Sequence, residues 1–106
     1  MLFFLDKKKK MSETQCSTLY YACRNGDFDT VKKILPTLTL EEIDHIEANG
    51  STALHAAAHY GHVRIVKLLL SRNANTSIQN RYGNTAEDEA ENPEIKALFV
   101  SFFDFQ

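Results

Sequence analysis

The sequence predicts an all-α fold built from repeated helix–turn–helix units. Its most regular stretch, residues 50–70, reads as one helix, a tight turn at Gly61 and a second, more apolar helix. The same pattern recurs upstream at a shift of 61 − 26 = 35 positions, which carries Gly26 to Gly61. Downstream, a shift of 83 − 50 = 33 positions carries Gly50 to Gly83. A period of this length is typical of arrays in which each unit buries its apolar face against its neighbours.

The central unit carries start and stop signals for both of its helices. Thr52 is a suitable N-cap, because its hydroxyl can accept an unpaired N–H of the first turn. The three alanines at 56–58 favour helix, and Gly61 permits the left-handed conformation that ends a helix. The second helix is predicted from about Val63 to Ser71. It is followed by Asn73, the next-best residue after glycine for a left-handed position.

The first unit is predicted to hold two helices, at about Glu13–Asn25 and Phe28–Leu35. Pro36 ends the second of these helices, because proline removes a backbone donor and its ring disrupts a helix interior. The connection to the central unit contains a capping-box pattern that begins at Thr39. This pattern predicts one helical turn near Leu40–Asp44.

The third unit is degenerate. Thr85 predicts a helix start, and the break at Asn92-Pro93 predicts its end. Between them, Glu87, Asp88 and Glu89 replace residues 54–56 of the central unit, which are Leu, His and Ala. We expect these three acidic residues and Glu91 to form a solvated first turn and helix face. A final helix is predicted at about Glu94–Phe103, where the apolar residues recur at helical spacing.

The apolar stripe of the final helix allows two interpretations. In the first, the stripe packs on the central unit through Ile95, Leu98, Phe99 and Phe102, and the remaining residues form a frayed end. In the second, Phe103 and Phe105 dock onto a further domain, a partner or a second copy of the chain, since an exposed aromatic patch usually has a function. The second interpretation predicts possible self-association.

Composition excludes several classes of protein. The 106 residues suffice for one small domain, and 43% are hydrophobic, which is ordinary for a globular protein. A net charge of −2 gives no basic footprint for nucleic acid. The longest apolar runs are shorter than the roughly 18 residues that a membrane span needs. We therefore expect neither a nucleic-acid partner nor a membrane span.

The N-terminal residues and the cysteines point to an intracellular protein. Residues 1–11, with four lysines at Lys7–Lys10, are predicted to be a disordered tail; an alternative natural start is Met11. A nuclear-import or anionic-lipid patch is the other interpretation of the lysines.

On one helix, Cys16 and Cys23 would lie about 10 Å apart, beyond the roughly 7 Å that a disulfide tolerates. Free thiols favour the cytoplasm, with the nucleus as an alternative.

The motif G-S-T-A-L-H-A-A-A-H-Y-G-H at residues 50–62 resembles an ankyrin repeat. The chain departs from the family pattern at Ala53, where proline is usual, and at Asn73, where glycine is usual. The resemblance implies a solenoid of stacked helix pairs with finger loops over residues 12–106. Its repeats would be residues 13–48, residues 49–81 and a degenerate cap at residues 82–106.

The resemblance also implies a function. Ankyrin repeats are protein-binding scaffolds, so we expect a non-catalytic module that binds another protein on the concave face formed by fingers and first helices. The strongest candidates are Arg24, Tyr60 and Tyr82, because Tyr and Arg carry much interface energy. Carried over by position, the full set of partner-binding candidates is Arg24, Asn25, Ser51, His59, Tyr60, Arg81, Tyr82 and Asn84.

Two alternative functions stay open. In the first, the chain is a targeting or regulatory segment of a larger enzyme, such as an ADP-ribosyltransferase or a kinase, as in proteins that resemble it. In the second, it is a small metal- or redox-responsive protein that uses the two thiols with His55, His59 and His62, since His55 and His59 have metal-ligand spacing. The family pattern favours structural roles for His55 and His62, and we expect no catalytic residue, metal or cofactor.

Overall fold

A computed structural model describes the backbone of residues 18–104 and the side chains of residues 18–100. This part of the chain is helical and contains no strand, which confirms the all-α prediction. Its elements are α1 (residues 18–25), α2 (Phe28–Ile34), a 3-10 turn (Leu35–Thr37), α3 (Leu40–Ile43), α4 (Ala53–His59), α5 (Val63–Ser71), α6 (Ala86–Glu89) and α7 (Pro93–Asp104).

Glycine turns join α1 to α2 and α4 to α5. Gly61 has a φ of 78°, and the His62 N–H donates to the Ala57 carbonyl at 2.9 Å, so α4 ends in the left-handed turn that the sequence predicted. Gly26 is required for a second reason besides its φ of 76°. A Cβ on this residue would lie 2.6 Å from Cε1 of His62, so any larger residue would have to displace the His62 ring.

Threonines begin three of the short helices with the same arrangement. In each, the threonine hydroxyl accepts the backbone N–H of the third helical residue, whose side chain in turn accepts the threonine N–H. Each threonine thereby satisfies backbone donors that a helix start leaves unpaired. The predicted caps at Thr52 and Thr85 and the predicted turn after Thr39 are confirmed. The three pairs are Thr39–Glu42, Thr52–His55 and Thr85–Asp88.

One continuous core runs through the helix pairs. α5 lies at its centre and packs against both α2 and α7, burying Ile65, Val66, Leu69 and Leu70. In α7, Ile95 and Phe99 are fully buried, so the prediction that this helix packs on the central unit is confirmed for these two residues. The side chains of Phe102 and Phe103, and all of Phe105, lie outside the described residues.

The third unit differs from its predicted form. α6 ends at Glu89 and Ala90 is extended, with a ψ of 121°, although the sequence predicted a helix that reached Asn92-Pro93. Pro93 instead opens α7, whose start the Asn92 side chain caps by accepting the Glu94 N–H at 2.8 Å. Proline favours the first helical turn because its missing N–H has no partner there. The left-handed Asn73 that the sequence predicted is present, with a φ of 63°.

Some predictions stay untested. The tail at residues 1–11 and Cys16 lie outside the described residues. The division into repeats at residues 13–48, 49–81 and 82–106 agrees with the order of the described helices but remains a prediction.

Candidate functional site

Two finger loops of the same geometry project from the helix pairs. In the first finger the Glu47 N–H donates to the Ser51 carbonyl at 2.9 Å, and in the second the Asn80 N–H donates to the Asn84 carbonyl at 2.8 Å. A direct hydrogen bond joins the two fingers, because the Arg81 Nη2 donates to the Ala48 carbonyl at 2.7 Å. These bonds hold the loops side by side. The first finger is residues 44–51 and the second is residues 77–84.

His55 connects α4 to the second finger. Its Nδ1 accepts the Thr52 N–H at 3.2 Å, so the proton of the neutral ring lies on Nε2. Nε2 then donates to the Asn84 carbonyl at 2.9 Å. His55 is only 3% exposed, and both ring nitrogens are used within the protein. The structural role that the sequence pattern favoured for His55 is confirmed.

His62 connects the first two helix pairs. Its Nε2 donates to the Arg24 carbonyl at 2.9 Å, which fixes the end of α1 against the start of α5.

Within the described part of the chain, no group of three or more His, Cys, Asp and Glu side chains lies close enough to hold a metal ion.

Three of the partner-binding candidates and one further residue lie close together at the ends of the first helices of the repeats. The Arg24 Cζ lies 5.9 Å from the Tyr60 ring centroid. The His59 and Tyr60 rings make an edge-to-face contact at 4.8 Å, and the His59 Nδ1 lies 3.3 Å from the Glu89 Oε1. Arg24, His59 and Tyr60 are exposed. We call Arg24, His59, Tyr60 and Glu89 the inner patch.

Glu89 is the fixed anion of the inner patch. Its Oε2 accepts the Asn84 side-chain amide at 2.8 Å and the Asn80 side-chain amide at 3.2 Å. The hydrogen bond from Asn84, with a smaller contribution from Asn80, holds the pKa of this carboxyl below its usual range despite partial burial. The expectation that Glu89 belongs to a solvated acidic face is wrong, because its side chain is 19% exposed and bonded to the second finger.

The remaining candidates divide into exposed and structural residues. Tyr82 at the tip of the second finger is 77% exposed, and Asn25 and Arg81 are also exposed. Ser51 and Asn84 are half-buried. Their backbone groups form the finger turns, and the Asn84 side chain holds Glu89.

Sequence reasoning missed two residues near these candidates. Tyr21 is 53% exposed and lies on α1 one turn before Arg24. Glu89 was missed although the 33-residue shift carries Ala56, a residue of α4, to this position. The repeat register was therefore the signal that would have placed Glu89 beside His59.

Cys23 is unsuited to redox chemistry. The residue is fully buried, and desolvation by burial raises the pKa of its thiol to about 12. Because the thiolate is the reactive form, Cys23 acts as a small core residue. The 35-residue shift aligns Cys23 with Ala58, which is likewise fully buried.

None of the helices that lie between residues 18 and 104 combines the length and the hydrophobicity that a membrane span requires.

The stacked helix pairs and paired fingers define a repeat protein whose units present a shared surface. A sequence profile for ankyrin repeats (3 copies) matches residues 3–81 and, in a second alignment, residues 19–98. The chain belongs to the ankyrin-repeat family, whose repeats are protein-interaction modules.

Individual relatives share the repeats and are much longer. The chain is 32% identical over 74 residues to the human transient receptor potential cation channel subfamily A member 1, covering 70% of this chain and 7% of the channel. It is 31% identical over 91 residues to the mouse mitochondrial liver isoform of glutaminase, covering 81% of this chain and 15% of that protein. To mouse diacylglycerol kinase iota it is 32% identical over 90 residues, covering 81% and 9%.

A solved structure shares the fold. It is a chain in the crystal structure of the yeast ribosomal protein Rps3 in complex with its chaperone Yar1. The TM-score is 0.67 and the sequence identity is 31%, with 83% of this chain and 65% of that chain covered.

Proposed function

We propose that this chain binds a partner protein through the concave face formed by the first helices of the repeats and the two fingers, and that it catalyses no reaction itself. Family membership supports the binding role. The structural similarity to a complex in which a chaperone holds a ribosomal protein supports a protein partner. The buried, protonated thiol of Cys23 is compatible with the intracellular location that we propose.

The observation that carries this proposal is the inner patch. Tyr60 is 51% exposed, yet its ring contacts both Arg24 and His59. His59 is in turn positioned by Glu89. Aromatic and arginine side chains that are held in place lose little entropy on binding, which makes them effective interface residues.

A capture experiment tests the concave face. The wild-type chain and a Tyr60→Ala/Tyr82→Ala variant are immobilised, and proteins retained from a lysate of the source cells are identified by mass spectrometry. A protein held by the wild type and lost from the variant is the expected result. Circular dichroism first establishes that both chains are folded, as expected because Tyr60 and Tyr82 are exposed.

Lys96→Ala is the matched control, since Lys96 is exposed on α7 and lies outside both the fingers and the inner patch. It should retain the same protein as the wild type. Equal retention by the wild type and the double-tyrosine variant contradicts the concave face. It would direct attention to Phe103 and Phe105, the predicted self-association residues outside the described side chains.

A second candidate function is a targeting or regulatory segment of a larger enzyme. The relatives favour it, because glutaminase and diacylglycerol kinase iota are enzymes of which this chain spans 15% and 9%. Sequencing full-length transcripts from the source cells tests it. A reading frame that joins these repeats to a catalytic domain supports this function, and a transcript encoding the repeats alone contradicts it.

A further inference from the structure

A second surface lies on the solvent-facing side of α5, where this helix meets the start of α2. Two cavities of about 330 and 350 Å³ open there and share Phe28 and Arg64 as lining residues. The second of them is also lined by Lys67, Leu68 and Ser71. We call these five residues the outer groove.

Arg64 is held in place by an aromatic ring. Its Cζ lies 3.9 Å from the centroid of the Phe28 ring, closer than the 5.9 Å between Arg24 and Tyr60. A stacked guanidinium keeps its planar fork of N–H donors available for a carboxylate. Among residues 18–100, neither Arg64 nor Lys67 forms an ion pair or a side-chain hydrogen bond.

The lining of the outer groove combines positive charge with an apolar floor. Arg64 and Lys67 lie one turn apart on α5, and no carboxylate is among the lining residues. Phe28 and Leu68 are half-buried and supply apolar surface. The Ser71 hydroxyl is occupied, because it donates to the Leu68 carbonyl at 2.6 Å. The groove therefore complements an anionic group that stands beside an apolar one.

We propose that the outer groove binds an acidic segment of a partner protein. An Asp or Glu carboxylate of that segment pairs with Arg64 and Lys67, and a neighbouring apolar side chain covers Phe28 and Leu68. A free phosphate ion would satisfy the two cations but would leave the apolar floor exposed to water. This site is separate from the inner patch and does not depend on the function proposed for it.

Peptide selection tests the outer groove. A phage-displayed library of random 12-residue peptides is selected on the wild-type chain and counter-selected on the Arg64→Glu variant. We expect enriched peptides to carry Asp or Glu beside a large apolar residue. In fluorescence polarisation, a labelled peptide of this kind should bind Arg64→Glu at least about tenfold more weakly than the wild type, since the reversal replaces attraction by repulsion.

Three further measurements show whether the peptide binds at the outer groove and through Arg64. Arg64→Lys keeps the charge but loses the planar fork, so it should bind between the wild type and Arg64→Glu. Lys96→Glu makes the same change of charge sign on α7 and should bind as the wild type does. Peptide binding should also shift the amide resonances of Phe28 and Leu68. Circular dichroism of each variant checks that the helices are intact.

Several outcomes overturn the proposal. One is a selection that yields no peptides able to discriminate between the wild type and Arg64→Glu. A second is enrichment of neutral or basic peptides. A third is complete displacement of the acidic peptide by millimolar inorganic phosphate at constant ionic strength, which would identify a simple anion site in place of a protein-binding groove.

Discussion

The second and third helix pairs begin with the same cap and then differ. Thr52 opens α4 and Thr85 opens α6, each with a reciprocal capping box. α4 continues for seven residues, of which the first six are buried. α6 stops after four, of which Ala86 alone is buried. A cap therefore decides where a helix starts, whereas the apolar surface that the helix can bury decides how far it continues.

The two helices α4 and α6 also end differently. Gly61 adopts the left-handed turn that leads directly from α4 into α5. The third unit has no such glycine, so Ala90 is extended and the chain reaches α7 through Asn92 and Pro93. The third unit keeps its place because Ile95 and Phe99 of α7 are buried in the core.

The largest expected effect comes from the core of the second pair. Leu69→Ala should lower the free energy of unfolding by about 2–5 kcal/mol, because Leu69 is fully buried and its removal leaves a cavity. Urea unfolding followed by circular dichroism measures the change. Leu40→Ala is the matched control, since Leu40 is 53% exposed and should change stability by less than about 0.5 kcal/mol. Similar losses for both would contradict the placement of α5.

Replacing the third helical residue of each capping box should also lower the free energy of unfolding by different amounts in the two pairs. His55→Ala should cost about 1–3 kcal/mol, because it leaves the Asn84 carbonyl and the Thr52 N–H without their partner. Asp88→Ala should cost less, since Asp88 is exposed and, among the described residues, forms hydrogen bonds only within its own cap. Thermal unfolding of the two variants in parallel measures the order. A larger loss for Asp88→Ala would show that the link between α4 and the second finger is unimportant.

The two threonine caps should differ less in their contribution to the free energy of unfolding than His55 and Asp88 do. Replacing either with alanine should cost about 0.5–2 kcal/mol. Thr52→Ala should lie at the upper end of this range, because Thr52 is 2% exposed and its removal also disturbs His55. Thr85→Ala should lie at the lower end. Equal unfolding midpoints in urea for the two variants would contradict the distinction between a buried cap and a half-buried one.

The smallest expected effect is a pH dependence located in the third unit. Because the pKa of Glu89 is lowered in the folded chain, the unfolded chain binds this proton more readily. The carboxylate therefore stabilises the fold above its ordinary pKa of 4.5, and this contribution is lost as the pH falls through the lowered value. The Tm difference between wild type and Glu89→Gln should be largest near pH 7 and shrink below about pH 4.5. A difference independent of pH would contradict the role of the charge.

The sequence by itself determined the class of fold and most helix starts and ends. The threonine caps, the left-handed Gly61 and Asn73, and the apolar spacing of α5 and α7 are local features. Their conformational preferences act over three or four neighbouring residues and can be recognised in the chain without knowledge of its packing.

The tertiary structure decided the length of α6 and the composition of both candidate surfaces. α6 ends early because its acidic residues provide little surface to bury, and this depends on what lies opposite them. Glu89 meets His59, and Arg64 stacks on Phe28, across separations of 30 and 36 positions in the chain (89 − 59 and 64 − 28). Such contacts depend on how the helix pairs stack, because side chains distant in sequence meet only once the shared core has fixed the distance and rotation between repeats.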